Sequence, residues 1–282
     1  MGYRMTYRPP KGIEMKSYSG YIFDMDGVIY RGDEPIQDAV ETVNILKEKG
    51  SKVIFNTNNS AKLASEYKSV LLSIGVLNLE EKDIITSGDA TANYLKNELE
   101  LHPERKKVLC VAEESVKSLL REINMEVIEP EDYREADYVV VGFYKSFDWK
   151  LGSRAASAIA NYGAKLIGAN PDPARPVEDG EIEAGTGAII AFIEAASHTK
   201  ALMMGKPYPE MYKMALQRMG LEVPDVLMVG DMLITDIKGA LDLGMDAALV
   251  LTGMTQREDI EKLGIKPTFV VESLKNLVSK FQ

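Results

Sequence analysis

Residues 21–36 read YIFDMDGVIYRGDEPI. An apolar run, Tyr21-Ile22-Phe23, leads into two aspartates, Asp24 and Asp26, with Gly27 directly behind them. In an extended chain residues i and i+2 project to the same face, so both carboxylates are expected to share one site. Like charges that close repel and raise one pKa unless a cation neutralises them. Mg²⁺ is a hard ion that prefers carboxylate oxygen, and Gly27 lets the chain turn away sharply behind it. Taken alone, D-x-D-G reads equally well as a solvated loop with incidental acids. The EF-hand calcium loop also begins this way, but Ile29 and Arg31 do not fit its further ligand positions.

Outward from this stretch, short apolar runs alternate with longer amphipathic segments along the whole chain. Strands are expected at 21–25, 52–56, 83–86, 107–112, 138–143, 165–168, 201–204, 226–230, 247–251 and 268–271. Between the first two, Val40, Val43 and Leu46 recur at helical spacing and Gly50 is a fitting stop. Such alternation implies an α/β protein: a doubly wound parallel sheet covered by helices on both faces. Parallel sheets carry their sites at the carboxyl ends of the strands. The residues found there are DMDG at 24–27, TNNS at 57–60, GKPYP at 205–209 and DMLITD at 231–236. The middle strands are followed by blander residues, GANPDPARP at 168–176 excepted, so the middle reads as an insertion with its own sheet.

Each of these strand ends has a chemical and an ordinary reading. Thr57 and Asn58 suit phosphate binding at the amides of a helix N-terminus, while Ser60 alone would cap a helix beginning near Ala61. Lys206 precedes Pro207, a fitting first helical residue, and Met211, Ala215 and Met219 form an apolar stripe beyond it. A lysine at the positive end of a helix is misplaced unless an anion sits there too. No G-x-x-x-x-G-K-[ST] occurs, which excludes a P-loop lysine. Asp236 suits a helix start in any case, whereas Asp231 stands directly at a strand end, in the same layer as Asp24.

Bulk properties narrow the classes. The chain has 282 residues, 45% of them hydrophobic, which suits two domains or one with a large insertion. A net charge of −10 gives no general attraction for nucleic acid or an anionic membrane surface, so neither is an expected partner. The single cysteine, Cys110, lies in the apolar run KKVLCVAE and reads as a buried structural thiol. The two histidines, His102 and His198, lie in polar connections, which argues against a histidine nucleophile or a zinc site. No apolar run approaches a membrane span, and residues 1–18 read as a poorly ordered leader without the apolar region of a secretory signal. Gly2 with Thr6 fits only the loose myristoylation pattern, and a cytoplasmic location is expected.

Taken in order, DMDGVIY, TNN, GKP and GDMLITD closely resemble the four motifs of the haloacid dehalogenase (HAD) superfamily of phosphatases. DGVIYRGDEPI, NPD, GTGA and GKPYPEMY further resemble its NagD-like, 4-nitrophenylphosphatase branch. The resemblance runs from about residue 19 to the C-terminus. It implies a Rossmann-like core, 19–87 and 201–282, interrupted by a large α/β cap at 88–200.

The resemblance also implies roles. Asp24 is the nucleophile that becomes an aspartyl-phosphate. Asp26 protonates the leaving oxygen and then deprotonates the attacking water. Mg²⁺ is held by Asp24, the backbone carbonyl of Asp26 and Asp231, with Asp236 assisting. Thr57, Asn58 and Lys206 stabilise the phosphoryl oxygens. An aspartate at 26 favours phosphate transfer over dehalogenation. The cap loop NPDPARP, with Asn170, Asp172 and above all Arg175, is the candidate for substrate specificity, a surface arginine in a proline-fixed loop being the alternative for Arg175. GTGA at 185–188 reads as glycines opening a cap helix. The substrates implied are small phosphorylated metabolites, and a homodimer is possible by the same resemblance. The competing classes are a phosphoacceptor receiver domain, which lacks D-x-D-G and is less than half as long, and a non-catalytic sugar-phosphate-binding protein on the same fold.

Overall fold

Tyr21, Ile22 and Phe23 are at most 1% exposed, as expected for a strand covered on both faces of a parallel sheet. The computed structural model describes residues 17–176 and 181–278. By internal contacts these fall into two units. One comprises the described residues up to Thr57, then Ser65–Ile85, then those from Tyr212 onward; the other comprises Asn58–Ala64 and Thr86–Met211.

The first unit is built on a six-stranded sheet ordered Phe269–Val271, Asp246–Val250, Val226–Gly230, Gly20–Phe23, Lys52–Thr57, Ile84–Thr86. Gly20–Phe23 pairs in parallel with both of its neighbours, Phe23 lying opposite Val229 on one side and Phe55 on the other. Tyr21 and Phe23 share a face and stack with ring centroids 6.0 Å apart. Helix Gln37–Glu48 buries Val40, Val43 and Leu46, the stripe that the helical spacing predicted, together with Ala39. Of the leader expected over 1–18, residues 1–16, Gly2 and Thr6 among them, lie outside the described residues. Tyr18 is 2% exposed, and its hydroxyl donates to Asp246 Oδ2 at 2.8 Å.

The second unit carries a five-stranded, wholly parallel sheet ordered Leu202–Met203, Lys165–Gly168, Tyr138–Val141, Lys107–Val111, Glu126–Val127. Its core packs Leu109, Val111, Val139 and Val141 against Ala155, Ala158 and Ile159 of helix Trp149–Tyr162 and Ile189, Ile190 and Ile193 of helix Thr186–Ser197. Cys110 is buried in this sheet, where loss of hydration pushes its thiol up to about 12, the state of an unreactive structural cysteine. The pairing of Leu202 with Ile167 keeps the chain in this sheet past residue 200, and contacts carry the second unit on to Met211.

All ten expected strands are present within a few residues, and both principal sheets are parallel in the registers described, as the α/β reading required. The sequence reading missed five short strands: Glu126–Val127 and the antiparallel hairpins Tyr30–Arg31 with Glu34–Pro35 and Ala174–Pro176 with Ile182–Ala184. These short elements bury little, so no apolar run announces them. No helix among the described residues is long and apolar enough to cross a membrane.

Candidate active site

In the first unit, Asp24 follows strand Gly20–Phe23 and Asp231 follows its neighbour Val226–Gly230. The Asp24 N–H donates to Val229 O at 2.9 Å, which continues the ladder and sets both acids at the same edge of the sheet. Asp236 reaches them from the wide helical turn Leu233–Lys238, its Oδ2 accepting from the Met232 N–H at 3.0 Å. One carboxylate oxygen from each of Asp24, Asp231 and Asp236 lies within 4.8 Å of the others. Asp231 and Asp236 are only 2% and 1% exposed.

Asp231 fits because two glycines leave it room. A Cβ at Gly253 would lie 1.9 Å from Asp231 Oδ2, and one at Gly27, where φ is +78°, would lie 2.7 Å from it. The same Oδ2 accepts from the Met254 N–H at 2.7 Å. Three hard oxygen donors so close, two of them buried, repel one another unless a cation joins them. The set therefore fits a divalent ion such as Mg²⁺.

Asp26 lies beyond the end of the strand. The strand stops at Phe23, and the carbonyl of Met25 accepts from the N–H groups of Ile29, Val28 and Tyr30 at 2.8, 3.3 and 3.3 Å, closing a tight turn. A tight turn, not strand pleating, therefore sets where Asp26 stands relative to Asp24. Partial desolvation raises the Asp26 pKa, opposed by hydrogen bonds from the backbone of Gly32 and Gly27.

Two tyrosines, not anticipated from the sequence, border the acids. Burial pushes both Tyr30 and Tyr67 upward, and the charges of Asp24 and Asp26 push each further in the same direction. Both rings therefore remain protonated beside the carboxylates. The Tyr67 hydroxyl is hydrogen-bonded to the side chain of Thr57, the last residue of its strand. Nothing local in the sequence marks Tyr67, since helix Ala64–Ser73 presents it as one apolar residue among several.

In the second unit, Asn58 and Lys206 are brought together. Lys206 is 2% exposed; its N–H donates to Asn58 Oδ1 at 2.8 Å and its carbonyl accepts from Asn58 Nδ2 at 2.9 Å. The helix expected to begin at Pro207 begins at Glu210 instead, so Lys206 belongs to the preceding turn. Ser60 is likewise no helix cap: it is buried and its Oγ accepts from the Phe143 N–H at 3.0 Å. The turn there is made by Asn59 Oδ1 accepting from the Ala61 N–H at 2.9 Å, and the helix starts at Ala64.

The three cap-loop residues divide. Asn170 and Asp172 join the Asn58 cluster, Asn170 Nδ2 reaching Asn58 O at 2.6 Å and Asp172 Oδ2 accepting from Asn58 Nδ2 at 3.1 Å. Arg175 does not; it is bound by Glu183 across its hairpin. GTGA opens helix Thr186–Ser197, the Gly187 N–H donating to Asp172 O at 2.8 Å, which is the structural role expected of it.

Comparison with known proteins points the same way. Residues 21–126 match the family model of haloacid dehalogenase-like hydrolases, and residues 203–277 match a second, HAD-hydrolase-like model. The chain is 33% identical over 260 residues to the 5'-nucleotidase YutF of Bacillus subtilis, covering 92% of this chain and 97% of that protein. The solved structure of a p-nitrophenyl phosphatase from Archaeoglobus fulgidus superposes with a TM-score of 0.86 at 36% identity, over 94% of this chain and all of the other. A glycerol phosphate phosphatase from Mycobacterium tuberculosis, in complex with calcium, gives 0.82 at 30% identity, over 92% of this chain and 74% of that one.

Proposed function

The chain belongs to the haloacid dehalogenase-like hydrolases and is a phosphoric monoester hydrolase, and on that premise we propose a Mg²⁺-dependent phosphatase of small organic monoesters working through an aspartyl-phosphate. Sugar phosphates, phosphoglycolate and nucleoside monophosphates are the candidate substrate classes, with 4-nitrophenyl phosphate as the substrate in vitro. The observation that carries this reading is the convergence of Asp24, Asp231 and Asp236 carboxylate oxygens within 4.8 Å.

Asp24 attacks phosphorus and the bond to the leaving oxygen breaks, while Asp26 gives that oxygen its proton. Asp26, now ionised, takes a proton from water, whose oxygen attacks the aspartyl-phosphate and releases phosphate and free Asp24. Thr57, hydrogen-bonded to Tyr67, and Lys206 bind the phosphoryl oxygens, Lys206 supplying the positive charge. Asp24, Asp231 and the carbonyl of Asp26, assisted by Asp236, would hold the Mg²⁺, which would offset the charge of the carboxylates and the phosphoryl group.

The catalytic core is assigned to 19–87 and 201–282 and the cap to 88–200, with contacts grouping 58–64 and 201–211 with the latter. Phosphate release from a broad panel of metabolites, with metal-depleted protein and with added Mg²⁺, tests the proposal. Turnover is expected with Mg²⁺ alone; binding of a sugar phosphate without any turnover of it or of 4-nitrophenyl phosphate would turn the reading into that of a binding protein.

A further inference from the structure

The Asn58 side chain has no donor left for a phosphate. Its Nδ2 carries two protons, one given to Lys206 O at 2.9 Å and the other to Asp172 Oδ2 at 3.1 Å. Its Oδ1 accepts the Lys206 N–H at 2.8 Å, so the amide grips both polar groups of the Lys206 backbone. The main chain of Asn58 is held just as closely: its carbonyl accepts from Ser87 Oγ and from Asn170 Nδ2, both at 2.6 Å. Asn170 is fixed in turn, its Nδ2 reaching Thr186 Oγ1 at 3.3 Å and its Oδ1 accepting the Asp172 N–H at 3.2 Å. Asn58, Asn170 and Ser87 are 8%, 4% and 0% exposed, so unmade bonds here would cost the full desolvation of each group.

We infer that Asn58 is a positioning residue for Lys206, and that Asn170 and Asp172 act on the reaction through Asn58 instead of touching the leaving group. Asp172 has a specific part in this. A carboxylate only accepts, so it compels Asn58 to turn Nδ2 toward it and Oδ1 toward the Lys206 N–H. The opposite amide orientation would set oxygen against oxygen on one side and N–H against N–H on the other. The NPD triplet then orients the backbone of Lys206, from which the buried ammonium projects. This inference rests on the proposed role of Lys206 toward the phosphoryl group.

The test uses the full chain carrying Asn58→Ala, Asp172→Ala or Asp172→Asn, with folding checked by thermal melting. The direct readout is amide hydrogen exchange at Lys206 in ¹⁵N-lysine-labelled protein. Asn58→Ala is expected to speed that exchange by about tenfold or more, and Asp172→Ala by less. Asp172→Asn, whose Oδ1 still accepts, is expected to stay closer to wild type. Unchanged exchange in Asn58→Ala, or in Asp172→Ala if the former does not fold, would overturn the positioning role.

The kinetic readout is kcat and KM over a panel of phosphate esters. Asp172→Ala is expected to lower kcat by a similar factor for every ester and to keep their ranking; a changed ranking would return Asp172 to the leaving group. Asn58→Ala introduced on a Lys206→Ala background is expected to cost little more than Lys206→Ala alone, because the two act as one unit. A full additional loss would show Asn58 contacting substrate independently. Should Lys206→Ala leave turnover intact, the reading of Lys206 fails, and the exchange measurement still decides whether Asn58 positions its backbone.

Discussion

Arg175 is bound by Glu183: its Nε donates to Glu183 Oε2 at 2.6 Å, and its guanidinium lies over the Phe143 ring, 4.4 Å from the centroid. Lys145 approaches the other Glu183 oxygen at 3.5 Å. The Arg175 guanidinium holds the Glu183 carboxyl below its usual pKa. The cation expected to meet an anionic leaving group therefore already has an anion of its own.

That pairing makes the specificity role of Arg175 a two-sided prediction. Arg175→Ala is expected to lower kcat/KM for anionic esters by about tenfold, the equivalent of one charge-assisted hydrogen bond, and to spare small neutral ones. Glu183→Gln releases the guanidinium and is expected to move the ranking the other way, toward anionic esters. Both variants are to be ranked over one metabolite panel. Parallel, substrate-independent changes would remove Arg175 from the specificity loop.

The proposed metal dependence rests on three acids brought close together. EDTA is expected to abolish activity and Mg²⁺ to restore it, while Ca²⁺, with longer and looser coordination, restores little. Phosphate release after verified metal removal is the measurement, and full activity in EDTA would sink the mechanism.

The roles proposed for Asp24 and Asp26 differ. Asp24→Asn removes the proposed nucleophile and is expected to cost about 10⁴-fold or more in kcat. Asp26→Asn is expected to be severe for alkyl phosphates and mildest for 4-nitrophenyl phosphate, whose leaving group needs no proton. Equal losses on both esters would count against Asp26 as the acid.

Gly253 tests the metal site from a distance in sequence. A Cβ there would fall 1.9 Å from Asp231 Oδ2, so Gly253→Ala must displace that carboxylate. The Mg²⁺ concentration for half-maximal activity is expected to rise about tenfold or more, as for loss of a residue orienting a metal ligand. A titration of activity against Mg²⁺, beside a thermal melt, separates this from simple unfolding; an unchanged midpoint would place Asp231 outside the metal site.

Much of this molecule is set by its sequence taken alone. The strands are buried on both faces, so each is an apolar run that can be seen without knowing its neighbours. Asp24 and Asp231 stand at the ends of two such runs, and parallel pairing is enough to bring those ends to one edge. Tertiary structure decided the rest. Arg175 with Glu183 depends on an exposed hairpin that no apolar run marks. Tyr67 on Thr57 and Gly253 beneath Asp231 join residues with no local pattern in common. Asn58 meets Asp172 across 114 residues and Lys206 across 148. Hydrophobic periodicity is a local property of the chain, but the pairing of one polar group with another is chosen by packing, and packing exists only once the chain has folded.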